Sequence, residues 1–168
     1  MWNDTETPLG YLITFRSYGT WLHGNRRGSI DRYHNQYQAP YLAPSDVRYR
    51  HDQCLLRSEP LVLDGAQRKS VISAVEDVCE HRHWFLHALN VRTNHVHAVI
   101  SIGDADPDRA LNDLKAYATR RLRRDALWKQ NHSPWADRGS KRRLWNERSI
   151  ALAVDYVLNG QGGDLPDF

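Results

Sequence analysis

The stretch that decides the fold is Trp84–Ile102, which reads WFLHALNVRTNHVHAVISI. Two segments rich in β-branched and aromatic residues, Trp84–Val91 and Asn94–Ile102, are separated only by Arg92-Thr93. Such segments are typical of β-strands, and a two-residue connection is typical of a hairpin. The sequence therefore predicts an antiparallel hairpin at this point of the chain.

Apolar spacing outside the hairpin predicts further strands and helices. These are a strand at Tyr11–Trp21, helices at Asp64–Arg82 and from Asp106 to about Leu127, an edge strand at Arg142–Trp145 and a helix at Ile150–Leu158. In this order the first helix is a crossover between strands, which is a split β-α-β arrangement. The sequence therefore predicts an α+β fold in which helices cover one face of an antiparallel sheet and leave the other face open.

Length and composition indicate a single domain over residues 1–168, with a basic insertion at 23–60 and a tail at 161–168. The chain is 40% hydrophobic and 26% charged, as ordinary globular proteins are, and no apolar run is long enough to span a membrane. The polar N-terminus is unlike a signal peptide, and Cys54 and Cys79 form no CxxC motif. We therefore expect a cytoplasmic protein with no membrane partner.

Positive charge is concentrated in two parts of the chain. Arg109–Arg148 has 12 Lys and Arg against 4 Asp and Glu, and Gly24–Arg57 has 6 Arg against 3 Asp, although the whole chain carries only +3. Concentrated basicity indicates a polyanionic partner such as nucleic acid. The alternative is a solvated helix face that is rich in arginine.

The basic insertion interleaves arginines, among them Arg26 and Arg27, with tyrosines. Guanidinium groups suit a nucleic-acid backbone, and aromatic rings stack on unpaired bases. This pattern predicts contacts to single-stranded nucleic acid. The alternative is a surface loop that is basic by composition alone.

Two histidines, His95 and His97, stand on the second strand of the hairpin. Alternate residues of a strand point to the same face, so both imidazoles lie on one side and Val96 lies on the other. Two imidazoles on one face are able to chelate a divalent ion. The alternative is that they are ordinary strand residues.

A tyrosine flanked by arginines stands on the helix that follows the hairpin. Helical spacing puts Tyr117 at the edge of the buried stripe, beside Arg121 and Arg124. Guanidinium groups are suited to binding phosphate oxygens. The alternative is a tyrosine at the edge of the buried face whose ring is half buried and whose hydroxyl is exposed to water. With a metal ion on the histidines, a helix-borne tyrosine suits phosphoryl transfer to a phenol, whose pKa of about 10 requires a polarised electrophile.

The sequences NHVHAVI at Asn94–Ile100 and KAYATRRL at Lys115–Leu122 resemble those of the HUH single-tyrosine transposases. The opening YLITFRSYGTWLHG and the late RLWNERSIALAVDYVLN are similar to the branch of REP-associated tyrosine transposases, which act on repetitive extragenic palindromes. The likeness spans Tyr11–Gly160 and is weakest across the insertion.

The resemblance implies a ferredoxin-like fold with both histidines on a central strand, a single-stranded DNA hairpin substrate, Mg²⁺ or Mn²⁺, and a 5′-phosphotyrosine intermediate. By position, it makes His95 and His97 metal ligands and Tyr117 the nucleophile. The residues expected to contact DNA are Lys115, Arg120, Arg121, Arg124, Arg26 and Arg27. The resemblance also implies a bacterial protein that is associated with the nucleoid. Whether it forms a homodimer is left open, because insertion-sequence relatives share active sites between two chains.

One position departs from the pattern of those relatives. They have a glutamine as third metal ligand one helical turn after the nucleophile, where this chain has Arg121. Arginine has no lone pair for a metal. Either another group completes the site or the metal ion is weakly held. Asp113, one turn before Tyr117 on the same flank, is the candidate third ligand; Asn112 is less well placed, and His87 depends on the register of the hairpin. The alternative function is a non-catalytic DNA-hairpin or RNA-binding module on the same fold.

Overall fold

The sheet of this protein contains four strands, and every neighbouring pair is antiparallel. A computed structural model describes residues 7–20, 45–162 and 165. The elements are β1 (Gly10–Arg16), α1 (Asp46–Cys54), α2 (Gly65–Arg82), β2 (Phe85–Val91), β3 (His95–Ser101), α3 (Pro107–Arg124), β4 (Ser140–Leu144) and α4 (Glu147–Asn159). The strand order in the sheet is β2-β3-β1-β4. Because β3 lies between β1 and β2 and is antiparallel to both, β1 and β2 are parallel to each other, and α2 belongs to the crossover that joins them. The prediction of a split β-α-β, ferredoxin-like fold is confirmed.

Helices α2 and α3 pack against one face of the sheet. From the central strands this face contributes Ile13, Phe15, Val96, Ala98 and Ile100, and the helices add Val71, Val75, Val78, Leu111, Leu114 and Leu122. Period-2 alternation in the strands and helical spacing in α2 and α3 produce these two matching apolar surfaces. This layer is the principal core of the domain.

Helix α4 lies on the opposite face, which corrects the expectation that helices cover only one side. Its buried residues Ala153 and Val157 pack against Leu12, Val99 and Leu144. Those strand residues point away from α2 and α3, so they form a second, smaller core that a helix must cover. The second face is therefore partly covered rather than open.

Local sequence signals account for where the helices begin. Asp64 and Gln67 form a reciprocal capping box at the start of α2, and Asp106 precedes Pro107 at the start of α3. Asn146 caps α4 by accepting a hydrogen bond from the backbone of Ser149.

Helix α1 lies inside the predicted basic insertion at 23–60. It begins after Ser45, whose side chain accepts from the backbone of Arg48, and it has no buried residue. Without an apolar face it gives no periodic signal. The rest of the insertion, including Arg26 and Arg27, lies outside the described residues, as does most of the predicted tail. Among the helices described, none is long and apolar enough to cross a membrane.

Candidate active site

The two strand histidines form the centre of the site on the α4 side of the sheet. The ring centroids of His95 and His97 are 4.6 Å apart, with the rings inclined at 69°. Both project from β3, a central strand, opposite Arg16 and Thr14 of β1 respectively. Only 6% of His97 is exposed. The sequence-based expectation that the two imidazoles share a face is confirmed.

Hydrogen bonds fix the orientation of both imidazoles through their Nδ1 atoms. His97 Nδ1 lies 2.7 Å from Thr14 Oγ1, and His95 Nδ1 lies 2.6 Å from Asn94 Oδ1. Because an amide oxygen only accepts, the neutral tautomer with its proton on Nδ1 satisfies Asn94 and leaves the lone pair of Nε2 for a metal ion. Metal-binding histidines are held in the same manner, with one ring nitrogen bonded to the protein and the other facing the ion.

A glutamine just beyond α4 completes this donor set. Gln161 Oε1 lies 3.3 Å from His95 Nε2, and Gln161 Nε2 donates to the Tyr156 carbonyl at 3.4 Å. In the tautomer protonated on Nδ1, the amide oxygen faces the lone pair of Nε2, an arrangement that a cation bound by both atoms would stabilise. In the described part of the chain, no three His, Cys, Asp or Glu side chains are placed so that they could hold a metal ion together. Two imidazoles and one amide oxygen nevertheless fit a divalent ion.

Two glycines allow the chain to turn back towards the histidines after α4. A Cβ on Gly160 would lie 2.7 Å from the carbonyl oxygen of Tyr156, too close for any other residue without movement. Gly162 has φ +87°, in the left-handed region that favours glycine. The turn between them presents the side chain of Gln161.

Burial keeps His97 neutral. Burial, the neighbouring His95 and Arg16 lower the pKa of His97 to about 4, against a smaller opposing effect of a hydrogen bond to Gln161. At neutral pH the imidazole is therefore uncharged and able to offer a lone pair, as a metal ligand must.

Tyr156 brings a phenol to the same side of the sheet. Its ring centroid lies 5.6 Å from that of His97, and 47% of the residue is exposed. The neighbouring Val157 is fully buried against the sheet, which fixes the rotation of α4 about its axis. Tyr156 therefore lies beside the histidines with access to an incoming substrate.

Tyr117, the nucleophile predicted from sequence, is not brought to the histidines. It packs against the core between the sheet and helices α2 and α3, which is the opposite face. Its ring lies 6.2 Å from that of His81, and the guanidinium carbon of Arg120 lies 4.6 Å from its centroid. The sheet separates this tyrosine from His95 and His97 within one chain.

Asp113 is likewise placed elsewhere. Its Oδ2 forms a salt bridge with Arg82 Nη2 at 3.0 Å and lies 3.9 Å from Arg109 Nε. It lies on α3 and joins that helix to α2, so the structure gives the predicted third metal ligand a role in helix packing.

The predicted DNA-contacting side chains divide into two groups. Arg121 is held by Asp77 at 3.0 Å and Asp125 at 3.2 Å, and Lys115 donates to the carbonyls of Ala136 and Arg138. Burial lowers the pKa of Lys115 to about 8. Both side chains are therefore engaged in contacts within the chain. Two others, Arg120 and Arg124, are exposed on the α3 side and stay predicted phosphate contacts.

Sequence reasoning missed Tyr156, Gln161, Thr14 and Asn94 as parts of this site. A signal for Tyr156 was present, because it directly precedes Val157 in the apolar stripe of an amphipathic helix. A residue at that flank lies over the sheet if the helix covers the histidine face. Gln161 gave no periodic signal, since it follows the end of the helix.

Comparison with known proteins gives a family match and a similar fold. The family described as "Transposase IS200 like" matches residues 54–157, more than half of the chain, including both histidines and both tyrosines. A solved structure of a REP-associated tyrosine transposase bound to a REP hairpin is similar, at 17% sequence identity and a TM-score of 0.50. The match covers 94% of this chain and 69% of that one. Comparison with curated proteins finds no match. On the extent of the family match, the chain belongs to the IS200-like transposases.

Proposed function

We propose that this protein is a metal-dependent endonuclease and strand transferase that cuts single-stranded DNA beside a hairpin and forms a 5′-phosphotyrosine intermediate. Family membership supports the reaction class, and the hairpin bound by the similar solved structure supports the substrate class. The observation that carries the proposal is the position of Tyr156, whose ring lies 5.6 Å from that of His97 on the face that also holds His95 and Gln161.

Tyr156 is the nucleophile in this proposal, in place of Tyr117. A nucleophile must come within bonding reach of the phosphate that the metal site holds. Tyr156 shares a face with both histidines, whereas Tyr117 lies beyond the sheet. Because the tyrosine and the histidines belong to one chain, a monomer contains the whole site, and a homodimer is not required for cleavage.

His95, His97 and Gln161 would hold the divalent ion, Mg²⁺ or Mn²⁺. When bound, the ion supplies Lewis-acid polarisation of the scissile phosphate. Thr14 and Asn94 orient the two imidazoles, and α4 holds the phenol over them.

The reaction exchanges one phosphodiester for another. The Tyr156 phenolic oxygen forms a bond to phosphorus while the bond from phosphorus to the 3′ oxygen breaks. The phenol loses one proton and the departing 3′ oxygen gains one, so the step needs no other reactant. The phosphotyrosine preserves the phosphodiester linkage, and attack by a 3′ hydroxyl therefore rejoins DNA without ATP.

The alternative of a non-catalytic hairpin or RNA-binding module rested on Arg121, which left the site without a third ligand. In this proposal Gln161, which lies 3.3 Å from His95, would be that ligand, supplied from another part of the chain. The geometry therefore favours the enzyme.

A covalent-adduct assay tests the proposal. Single-stranded oligonucleotides that carry the hairpins beside the gene would be incubated with the protein and Mg²⁺ or Mn²⁺, then run on denaturing gels. We expect an adduct that disappears with a chelator and in His95→Ala/His97→Ala, while hairpin binding persists. Tight hairpin binding with no adduct under any metal condition would contradict the enzyme and support the binding module.

A further inference from the structure

A side chain on β2 joins the sheet to the helix that carries Tyr156. Asn90 of β2 is paired with His97 of β3, so both side chains project from the same face of the sheet. The half-buried Asn90 donates from Nδ2 to the carbonyl oxygen of Val157 at 2.9 Å. Because Val157 directly follows Tyr156, this hydrogen bond links the residue beside the histidine to the residue beside the phenol.

The carbonyl that accepts this bond belongs to the last turn of α4. The last four carbonyls of an α-helix have no partner within the helix and need a donor from elsewhere. Helix α4 ends at Asn159, so Val157 is among these residues. The backbone N–H of Gly160 donates to the Tyr156 carbonyl at 2.9 Å, and Asn90 supplies the donor for the next carbonyl. The sheet therefore caps the helix at the turn that carries Tyr156.

Apolar packing and this hydrogen bond constrain α4 in different ways. Burial of Val157 is not directional, so it decides which side of the helix faces the sheet but resists sliding of the helix only weakly. A hydrogen bond requires both a short distance and a nearly straight N–H···O angle. The bond from Asn90 therefore fixes where the last turn of α4 lies relative to β2, and with it the position of the Tyr156 ring.

We propose that Asn90 is a positioning residue for Tyr156, which it holds at the distance from His97 that attack on the scissile phosphate requires. The inference rests on the proposed function and deepens it, because it assigns control of the nucleophile to a residue outside the set of metal ligands. Displacement of a reacting group by about 1 Å lowers a rate about 100-fold. The rival account is a helix cap that contributes to stability alone.

Saturated rates of covalent-adduct formation distinguish the two accounts. Asn90→Leu keeps the size of the side chain and removes its donor. Asn159→Leu is the matched control, because Asn159 Nδ2 donates to Asp155 at 2.8 Å on the exposed side of α4. With hairpin DNA and Mn²⁺ at saturation, we expect Asn90→Leu to form the adduct about 100-fold more slowly than the parent, with unchanged affinities for DNA and Mn²⁺. The control is expected to react at the parental rate.

Two further variants separate the hydrogen bond from the change in packing. Asn90→Ala removes the donor without adding apolar bulk and is expected to be equally slow, whereas Asn90→Gln keeps an amide donor and is expected to recover part of the rate. Urea transitions verify that each variant is folded in the assay. Parental saturated rates in the folded Leu and Ala variants, with only their urea midpoints lowered, would overturn the proposal and leave Asn90 as a helix cap.

A spectroscopic measurement separates failure of this proposal from failure of the proposed function. In nuclear magnetic resonance of the metal-free protein, the His97 ring protons report the nearby Tyr156 ring, and His97→Gln assigns them. In Asn90→Leu we expect these resonances to move towards their positions in Tyr156→Ala, and Asn159→Leu is expected to leave them in place. Moved resonances in a protein that never forms an adduct support positioning by Asn90 and contradict the chemistry. Unmoved resonances and parental rates in a protein that forms an adduct do the reverse.

Discussion

The ring of His97 and the ring of Tyr156 lie 5.6 Å apart and are inclined at 67°, although one belongs to a central strand and the other to the last helix. Burial of Val157 sets this relationship, because it holds α4 flat on the face of the sheet from which His97 projects. The packing of an apolar helix face thus positions the phenol that we assign to catalysis.

Truncating Val157 is expected to loosen that arrangement. Val157→Ala removes a fully buried side chain from the small core under α4, and we expect a loss of about 2 kcal/mol in the free energy of unfolding. Urea denaturation measures it. Leu152→Ala is the matched control, because Leu152 is 62% exposed on the same helix and its loss is expected to cost about 0.5 kcal/mol or less. Equal losses in the two variants would contradict the docking of α4 described here.

Thr14 is expected to influence metal binding through His97. Thr14→Val keeps the shape of the side chain and removes the Oγ1 partner of His97 Nδ1, so affinity for Mn²⁺ is expected to fall about 10-fold. Titration followed by electron paramagnetic resonance measures this without any reaction. Thr14→Ser restores the hydroxyl and is expected to restore affinity; a Val variant that binds Mn²⁺ as tightly as the parent would show that the hydroxyl has no such role.

The lowered pKa of His97 predicts a specific acid sensitivity of the metal-free protein. Its folded pKa of about 4 lies below its ordinary value of 6.5, so the unfolded state binds the proton more tightly than the folded state. Stability contributed by neutral His97 is complete above pH 6.5 and is lost as the pH falls to about 4, with a total of at most about 3 kcal/mol. Urea midpoints for the parent and His97→Gln, compared over this range, isolate the effect. Parallel pH profiles would contradict it.

The two cysteines are expected to react very differently with thiol reagents. Cys54 is exposed, whereas Cys79 is buried in α2, where burial and Glu76 raise the pKa of the thiol to about 11. Reaction with a chromogenic disulfide at pH 8 is therefore expected to modify one thiol rapidly and the second only in denaturant. Cys54→Ser is expected to remove the rapid phase; a rapid phase that persists in this variant would show that α2 opens readily.

Sequence patterns identified the sheet and the shared face of the two histidines because both depend on local periodicity. The hairpin at Trp84–Ile102 and the shared face of His95 and His97 follow from alternation along a strand, and the structure confirms both. The apolar stripe of α4 was also visible. Periodicity shows that such a helix buries one side, but it does not tell which face of the sheet the helix covers.

That missing information explains why Tyr117 and Asp113 were expected beside the histidines. With the second face expected to be open, Tyr117 was the tyrosine that helical spacing put near the sheet, and Asp113 was the acidic group beside it. Both lie on the α2 and α3 side. Gln161 reaches His95 only through the turn at Gly160 and Gly162, a tertiary arrangement with no periodic trace in the sequence.

The identity of the residue that carries DNA tests the central claim most directly. The covalent adduct would be digested with protease and nuclease, and the modified peptide would be mapped by mass spectrometry, with Tyr156→Phe and Tyr117→Phe as a matched pair. We predict that the nucleotide is attached to the peptide that contains Tyr156, and that Tyr117→Phe still forms the adduct whereas Tyr156→Phe does not. Attachment to Tyr117, with adduct retained in Tyr156→Phe, would contradict the account.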